Sequence, residues 1–272
     1  MDRIHNYAAG EEVASADLNN IQDAAFGIDQ AKYLWIKRPV IACAGGITGT
    51  AVVSVGGTRG LVMGSEVVLP SAAGANLDTT GLVPGWHYIY AFNNSGVIGY
   101  EVSATVPDAT RTYKSTDTSR RYVGCFPVYN DGSNNLVAAF ASVNGRFIYR
   151  TSAMAFAFLR VVNTGTATGA GATVSLAGPV PPHASLAILR ARLWKDAAVG
   201  GTNYSCSLTT YGDTAAPSFA LEASGPASTE TIATWQHIEI QPAPNAGAPS
   251  ITYANDAATT TLRLWVVGFV EE

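Results

Sequence analysis

The sequence predicts an all-β chain: a short N-terminal helix, an antiparallel β-meander domain, then a C-terminal domain of β-sandwich or jelly-roll type. Three observations carry this. From Trp35 onward, apolar and polar residues alternate in short runs, as in strands whose successive side chains face opposite ways. Clusters of Gly, Asn, Asp, Ser and Pro break those runs at short intervals, which is how sandwiches read. Only one stretch, near the N-terminus, has helical spacing.

Each element has a local reason. Ser15 is suited to cap a helix, with Asp17 in the first turn where the helix dipole favours an acid. Leu18, Ile21, Ala25, Ile28, Lys32 and Trp35 follow at 3,4,3,4,3 spacing, the period of a coiled-coil seam. So short a helix is marginal alone. It packs either against copies of itself or another protein, or on its own domain. Trp86–Phe92 alternates with period 2, Asn93–Gly96 is turn chemistry, and Val97–Ala104 returns. Pro107–Ser119 reads as a loop, Arg121–Tyr129 as a strand, Asn130–Asn135 as a turn and Leu136–Val143 as a strand. Asn144-Gly145 is a strong hairpin signal, because a type I′ turn needs positive φ at both central residues. Arg146–Thr151 closes the meander. After a linker-like Thr/Gly run at Thr164–Gly171, strands are expected at Thr173–Ala177, Ala184–Lys195, Asn203–Tyr211, Ser218–Ala223, Thr231–Gln241 and Thr259–Val270. The division is then 1–35 as an attachment segment, 36–155 as the middle β domain and 156–272 as the C-terminal sandwich.

Composition excludes several classes. The chain has 272 residues, 47% hydrophobic and 13% charged. A disordered chain needs the reverse balance, and a long coiled coil needs many more charges. The net charge of -4 lacks the basic excess of a duplex-binding protein, so no nucleic-acid partner is expected. The opening residues have no apolar leader core. Val40–Gly57 is free of charge but broken by Gly pairs, so no membrane insertion is expected. Cys43, Cys125 and Cys206 form no CxxC and lie near no histidine in sequence, so neither a disulfide framework nor a metal site is expected.

Strand parity singles out one group. Leu189, Ala191 and Leu193 share a face, opposed by Arg190, Arg192 and Trp194; Ile232, Ile238 and Ile240 oppose Trp235, His237 and Glu239. Leu262, Leu264, Val266 and Val270 oppose Arg263 and Trp265. Three tryptophans thus share faces with charges and should lie outside the core. They line a subunit interface, where Trp and Arg are enriched, or form platforms for sugar rings. Trp86, Tyr88, Tyr90 and Phe92 share a face with apolar spacing and read as core.

Asp17-Leu18-Asn19-Asn20-Ile21-Gln22, the run from Arg120-Arg121-Tyr122-Val123-Gly124-Cys125-Phe126 through Asn130–Asn135 to Phe140, and Thr261–Phe269 resemble, in that order, segments of bacteriophage tail-fibre and virion-appendage proteins. The resemblance implies a virion structural protein, often trimeric, involved in host attachment and assembled in the host cytoplasm. It implies docking on tail, baseplate or capsid-vertex proteins through the N-terminal segment, with Leu18, Ile21, Ala25, Ile28 and Trp35 at that attachment or at a trimer seam. Host-surface polysaccharide is a possible partner. The alternatives are a capsid decoration or head-fibre protein, a polysaccharide-degrading tailspike, and a free carbohydrate-binding module.

No motif calls for an enzyme or a cofactor. There is no P-loop, GxSxG or HExxH. His5, His87, His183 and His237 are scattered. Paired carboxylates would be needed to cleave a polysaccharide, yet Glu101, Asp108, Asp117, Asp131, Asp196, Asp213, Glu222 and Glu239 fall mostly in expected turns. Asp131–Asn135 faintly resembles a calcium loop but has Ser142 where the twelfth-position glutamate belongs, so a hairpin turn is the reading.

Overall fold

The computed structural model describes residues 35–37, 39–56, 59–63, 66–68, 74–95, 97–150, 158–195, 203–213, 219–224, 232–257 and 260–271. The expected N-terminal helix, with Leu18, Ile21, Ala25 and Ile28, lies outside them. In chain order the strands are β1 (Trp35–Lys37), β2 (Ile41–Cys43), β3 (Gly46–Ile47), β4 (Val53–Val55), β5 (Arg59–Met63), β6 (Glu66–Val68), β7 (Ala75–Leu77), β8 (Gly85–Asn94) and β9 (Val97–Ser103). There follow β10 (Tyr113–Lys114), β11 (Asp117–Asn130), β12 (Asn135–Val137), β13 (Phe140–Val143), β14 (Arg146–Tyr149), β15 (Arg160–Gly165) and β16 (Ala172–Ser175). The series ends with β17 (Leu186–Lys195), β18 (Asn203–Thr210), β19 (Phe219–Ser224), β20 (Ile232–Ile240), β21 (Ala243–Asn245), β22 (Ala248–Asn255) and β23 (Thr261–Val270).

The fold is all-β and its strand ladders are antiparallel. One six-stranded sheet runs β3-β12-β11-β8-β9, with β10 against β11. A nine-stranded sheet runs β20-β17-β23-β14-β13-β2-β4-β7, with β15 against β23. A five-stranded sheet runs β16-β22-β18-β19, with β21 against β22, and β1-β5-β6 form a small sheet. The nine-stranded sheet takes strands from both sides of residue 155, because β14 and β17 both pair with β23.

The core is a run of stacked rings. Phe140 stacks on Phe147 at 4.5 Å, Phe147 on Phe269 at 4.4 Å, and Trp86 meets Phe269 edge-on at 5.5 Å. Offset and edge-to-face aromatic pairs add to the apolar area they bury. The turn expected at Asn144-Gly145 is present, with φ of 51° and 76°. In β17 and β20 the parity holds: Leu189, Ala191, Leu193, Ile238 and Ile240 are buried, and Arg190, His237 and Glu239 are exposed.

Several expectations are corrected. Trp35, taken as the last apolar position of the helix, belongs to a strand and pairs with Leu61. Leu136–Val143 is two strands, not one: Ala138-Ala139 carries the chain from the six-stranded to the nine-stranded sheet. Pro107–Ser119 contains β10, and β11 already begins at Asp117. The Thr/Gly run is packed: Asn255 donates from Nδ2 to the Gly165 carbonyl at 2.9 Å. Pro242–Pro249, whose Pro and Gly content reads as a loop joining two strands, is the β21–β22 hairpin. In β23 a register shift opposite Ile188/Leu189 skips Val267, so Phe269 rather than Val270 joins Val266 on the core face. A bulge adds one residue to one strand and reverses the parity beyond it.

Candidate functional site

The most unusual chemistry lies where three distant segments meet. A register shift between Tyr122 and Gly124 leaves Val123 bulged in β11. Without it, Tyr122 and Cys125 would face opposite sides. With it, Tyr122 pairs with Tyr90 and Cys125 with Tyr88, so both share the face of those two tyrosines. Onto that face the turn before β17 brings His183, and the residue following β23 is Glu271. Glu271 is fixed by its own backbone, whose N–H donates to the Gly145 carbonyl at 2.8 Å.

All three partners converge on one oxygen. Tyr122 Oη donates to Glu271 Oε1 at 2.7 Å, Cys125 Sγ donates to it at 3.0 Å, and His183 Nε2 donates to it at 2.7 Å. Tyr122 Oη also lies 3.2 Å from His183 Nε2. The imidazole sits 5.7 Å from the rings of both Tyr88 and Tyr122. Glu271 is 5% exposed and Cys125 2%. Burial alone would push the Glu271 carboxyl up, but the hydrogen bond and charge of His183, with the bonds from Cys125 and Tyr122, hold it below its ordinary value. Burial, and then the adjacent Glu271 carboxylate, push the Cys125 thiol well above its ordinary value, and burial, then the charges of Cys125 and Glu271, do the same to the Tyr122 phenol. The expectation of no Cys/His grouping is thereby corrected: Cys125 and Glu271 are 146 residues apart, His183 and Glu271 88. No spacing motif exists at such separations, and nothing near any of the three residues in sequence points to the other two.

The arginine–tryptophan face is the second feature. Arg192 pairs across the sheet with Arg263 and with Trp235. The Trp194 ring carries the Arg263 guanidinium at 4.6 Å and that of Arg192 at 5.3 Å from its centroid, both cation–π contacts. Arg263 Nε donates to the Asn163 carbonyl at 3.0 Å. Trp265 departs from expectation. It is 6% exposed, because its cross-strand neighbours, Arg190 in β17 and Arg160 in β15, flank it within the sheet. A long side chain on each side of a ring covers it even on a polar face. Trp235 is placed by its backbone only.

Five of the acids singled out from sequence have local duties. Asp131 Oδ1 accepts from the N–H groups of Ser133 and Asn134, each at 2.8 Å, so this is a hairpin turn. Asp108 Oδ1 accepts from the Thr112 N–H at 2.8 Å, and Asp117 from that of Ser119 at 2.9 Å. Glu101 pairs with Lys114 at 2.9 Å and Arg120 at 3.0 Å, and Glu239 pairs with Arg146. Asp196 lies outside the described residues. His87 stacks on Phe126 and donates from Nε2 to the Val83 carbonyl at 2.8 Å, a structural role. Cys43 and Cys206 are buried free thiols. Among the described residues no helix is long and apolar enough to cross a membrane.

No family model and no curated protein matches the chain. Among solved structures, a Bacillus thuringiensis Cry1Da tryptic core variant is matched at a TM-score of 0.19 and 11% identity, over 92% of this chain and 54% of that one. A likeness of that size carries no argument about fold or function. The class that the fold itself defines is an antiparallel all-β protein with a buried Cys–His–Glu–Tyr cluster and a basic aromatic sheet face.

Proposed function

We propose that the chain is a bacteriophage virion structural protein of tail-fibre type, attached through its N-terminal segment and displaying its β-rich remainder as a homotrimer for host-surface attachment. The observation that carries this is the ordered set of segments at 17–22, 120–140 and 261–269 that resembles virion appendage proteins. Two of them support one another physically. Phe140, at the end of the second, and Phe269, at the end of the third, both stack on Phe147. The face of Arg190, Arg192, Trp194, Trp235 and Arg263 serves as the subunit seam, since Trp and Arg dominate interface energetics. Individually weak contacts with host glycans gain strength from trimeric display.

The test has two parts. Light scattering on purified protein should report three times the 28.3 kDa chain mass; a stable monomer at micromolar concentration removes the seam. Epitope-tagged protein should then sediment with purified particles, and deleting residues 1–35 should abolish this. A chain never found on particles ends the reading. Particles that adsorb normally after residues 197–202, 212–217 and 225–230 are replaced by Gly-Ser turns favour a decoration protein instead.

A further inference from the structure

We propose that Cys125, His183 and Glu271 bind a divalent cation of the zinc class, which staples the segment after β23 to β11 and to the turn before β17. The ligand atoms, one from each residue, all lie within 4.8 Å of one another. A thiol, an imidazole and a carboxylate are zinc's own donor set, and this borderline-soft combination disfavours magnesium and calcium. Zinc bonds of about 2.0–2.3 Å place tetrahedral ligand atoms roughly 3.4 Å apart. The carboxylate oxygen stands 2.7 Å from the imidazole nitrogen and 3.0 Å from the sulfur. Opening those gaps by about half an ångström, with the sulfur and the imidazole nitrogen, within 4.8 Å of each other, brought to the same spacing, admits the ion.

Charge balance favours it. Thiolate and carboxylate together neutralise a dication, which suits a site where Cys125 is 2% and Glu271 5% exposed and where an unbalanced charge is costly. On binding, the Cys125 thiol proton leaves to solvent, and His183 presents its Nε2 lone pair with its proton on Nδ1. Glu271 enters as carboxylate. Tyr122, 2.7 Å from Glu271 Oε1, is a positioning residue that orients the carboxylate. The His183 side chain is 15% exposed and marks the entry path. The three ligands come from segments far apart in sequence, so binding free energy adds to folding free energy.

The test uses the full chain, stripped with a chelator and titrated with Zn²⁺ or Co²⁺, with Mg²⁺ as control. The expected result is about one ion per chain, a rise in Tm with Zn²⁺ but not Mg²⁺, and a thiolate-to-cobalt charge-transfer band with Co²⁺. Cys125→Ser should lose the band, and Tyr122→Phe should keep it while weakening binding about 10–100-fold. If the variants fail to fold, the wild-type chain decides alone. A folded wild-type protein whose Tm ignores Zn²⁺, or which binds cobalt without the thiolate band, overturns the proposal and leaves a hydrogen-bonded cluster only.

Discussion

Phe147 sits at the centre of the core, with Phe140 on one side of its ring and Phe269 on the other and Tyr149 edge-on at 4.9 Å. It is 1% exposed, so truncation leaves a cavity that its neighbours cannot close without unstacking. Phe147→Ala should cost roughly 3–5 kcal/mol, read as a lowered urea midpoint with an unchanged slope. The thiols give a second expectation. Burial, then the charge of Asp256, pushes Cys206 up to about 12; burial also raises Cys43 and, with the Glu271 carboxylate beside it, Cys125. The thiolate is the reactive form. At pH 8 all three should resist a disulfide-exchange reagent in the folded chain and react once it is denatured. One fast thiol in the native protein would contradict the burial described above.

At the scale of elements, turns and close approaches decide what the strands tolerate. Asn144 holds a positive φ in the turn between β13 and β14, where a β-branched side chain is strained by about 1–2 kcal/mol. Gly268 is more demanding: a Cβ there would stand 2.2 Å from the Phe147 carbonyl oxygen, so the β14–β23 ladder must part. Thermal melts should rank wild type above Asn144→Val, and Asn144→Val above Gly268→Ala. The hairpin at 144–145 was legible in sequence because its signal is local. The bulges at Val123 and Val267 were not. Nothing in the sequence around either residue says which of two partner strands will skip it, yet skipping Val267 moved Phe269 inward and skipping Val123 put Cys125 on the face of Tyr122. Trp265 was misjudged for a related reason: parity gives a side chain's face, whereas its cover depends on the neighbouring strands.

At the scale of the molecule, the nine-stranded sheet joins what the sequence divided at residue 155. Removing residues 1–155 strips β23 of β14, and Glu271 of both Tyr122 and Cys125. Residues 156–272 expressed alone should therefore lack a cooperative melt and near-ultraviolet dichroism, while the full chain melts in one transition. A cooperative melt of the fragment would show that the C-terminal half is an independent unit.

The sequence by itself determined the fold class, the parity of β17 and β20 and the turn at Asn144-Gly145, because period-2 burial and positive φ are properties of a few adjacent residues. Tertiary structure alone decided the strand order, the sheet shared across residue 155 and the meeting of Cys125, His183 and Glu271. Those depend on contacts between segments far apart in the chain, up to the 149 residues that separate Tyr122 from Glu271. Such pairing is settled by the summed packing of the whole core, which no local pattern encodes.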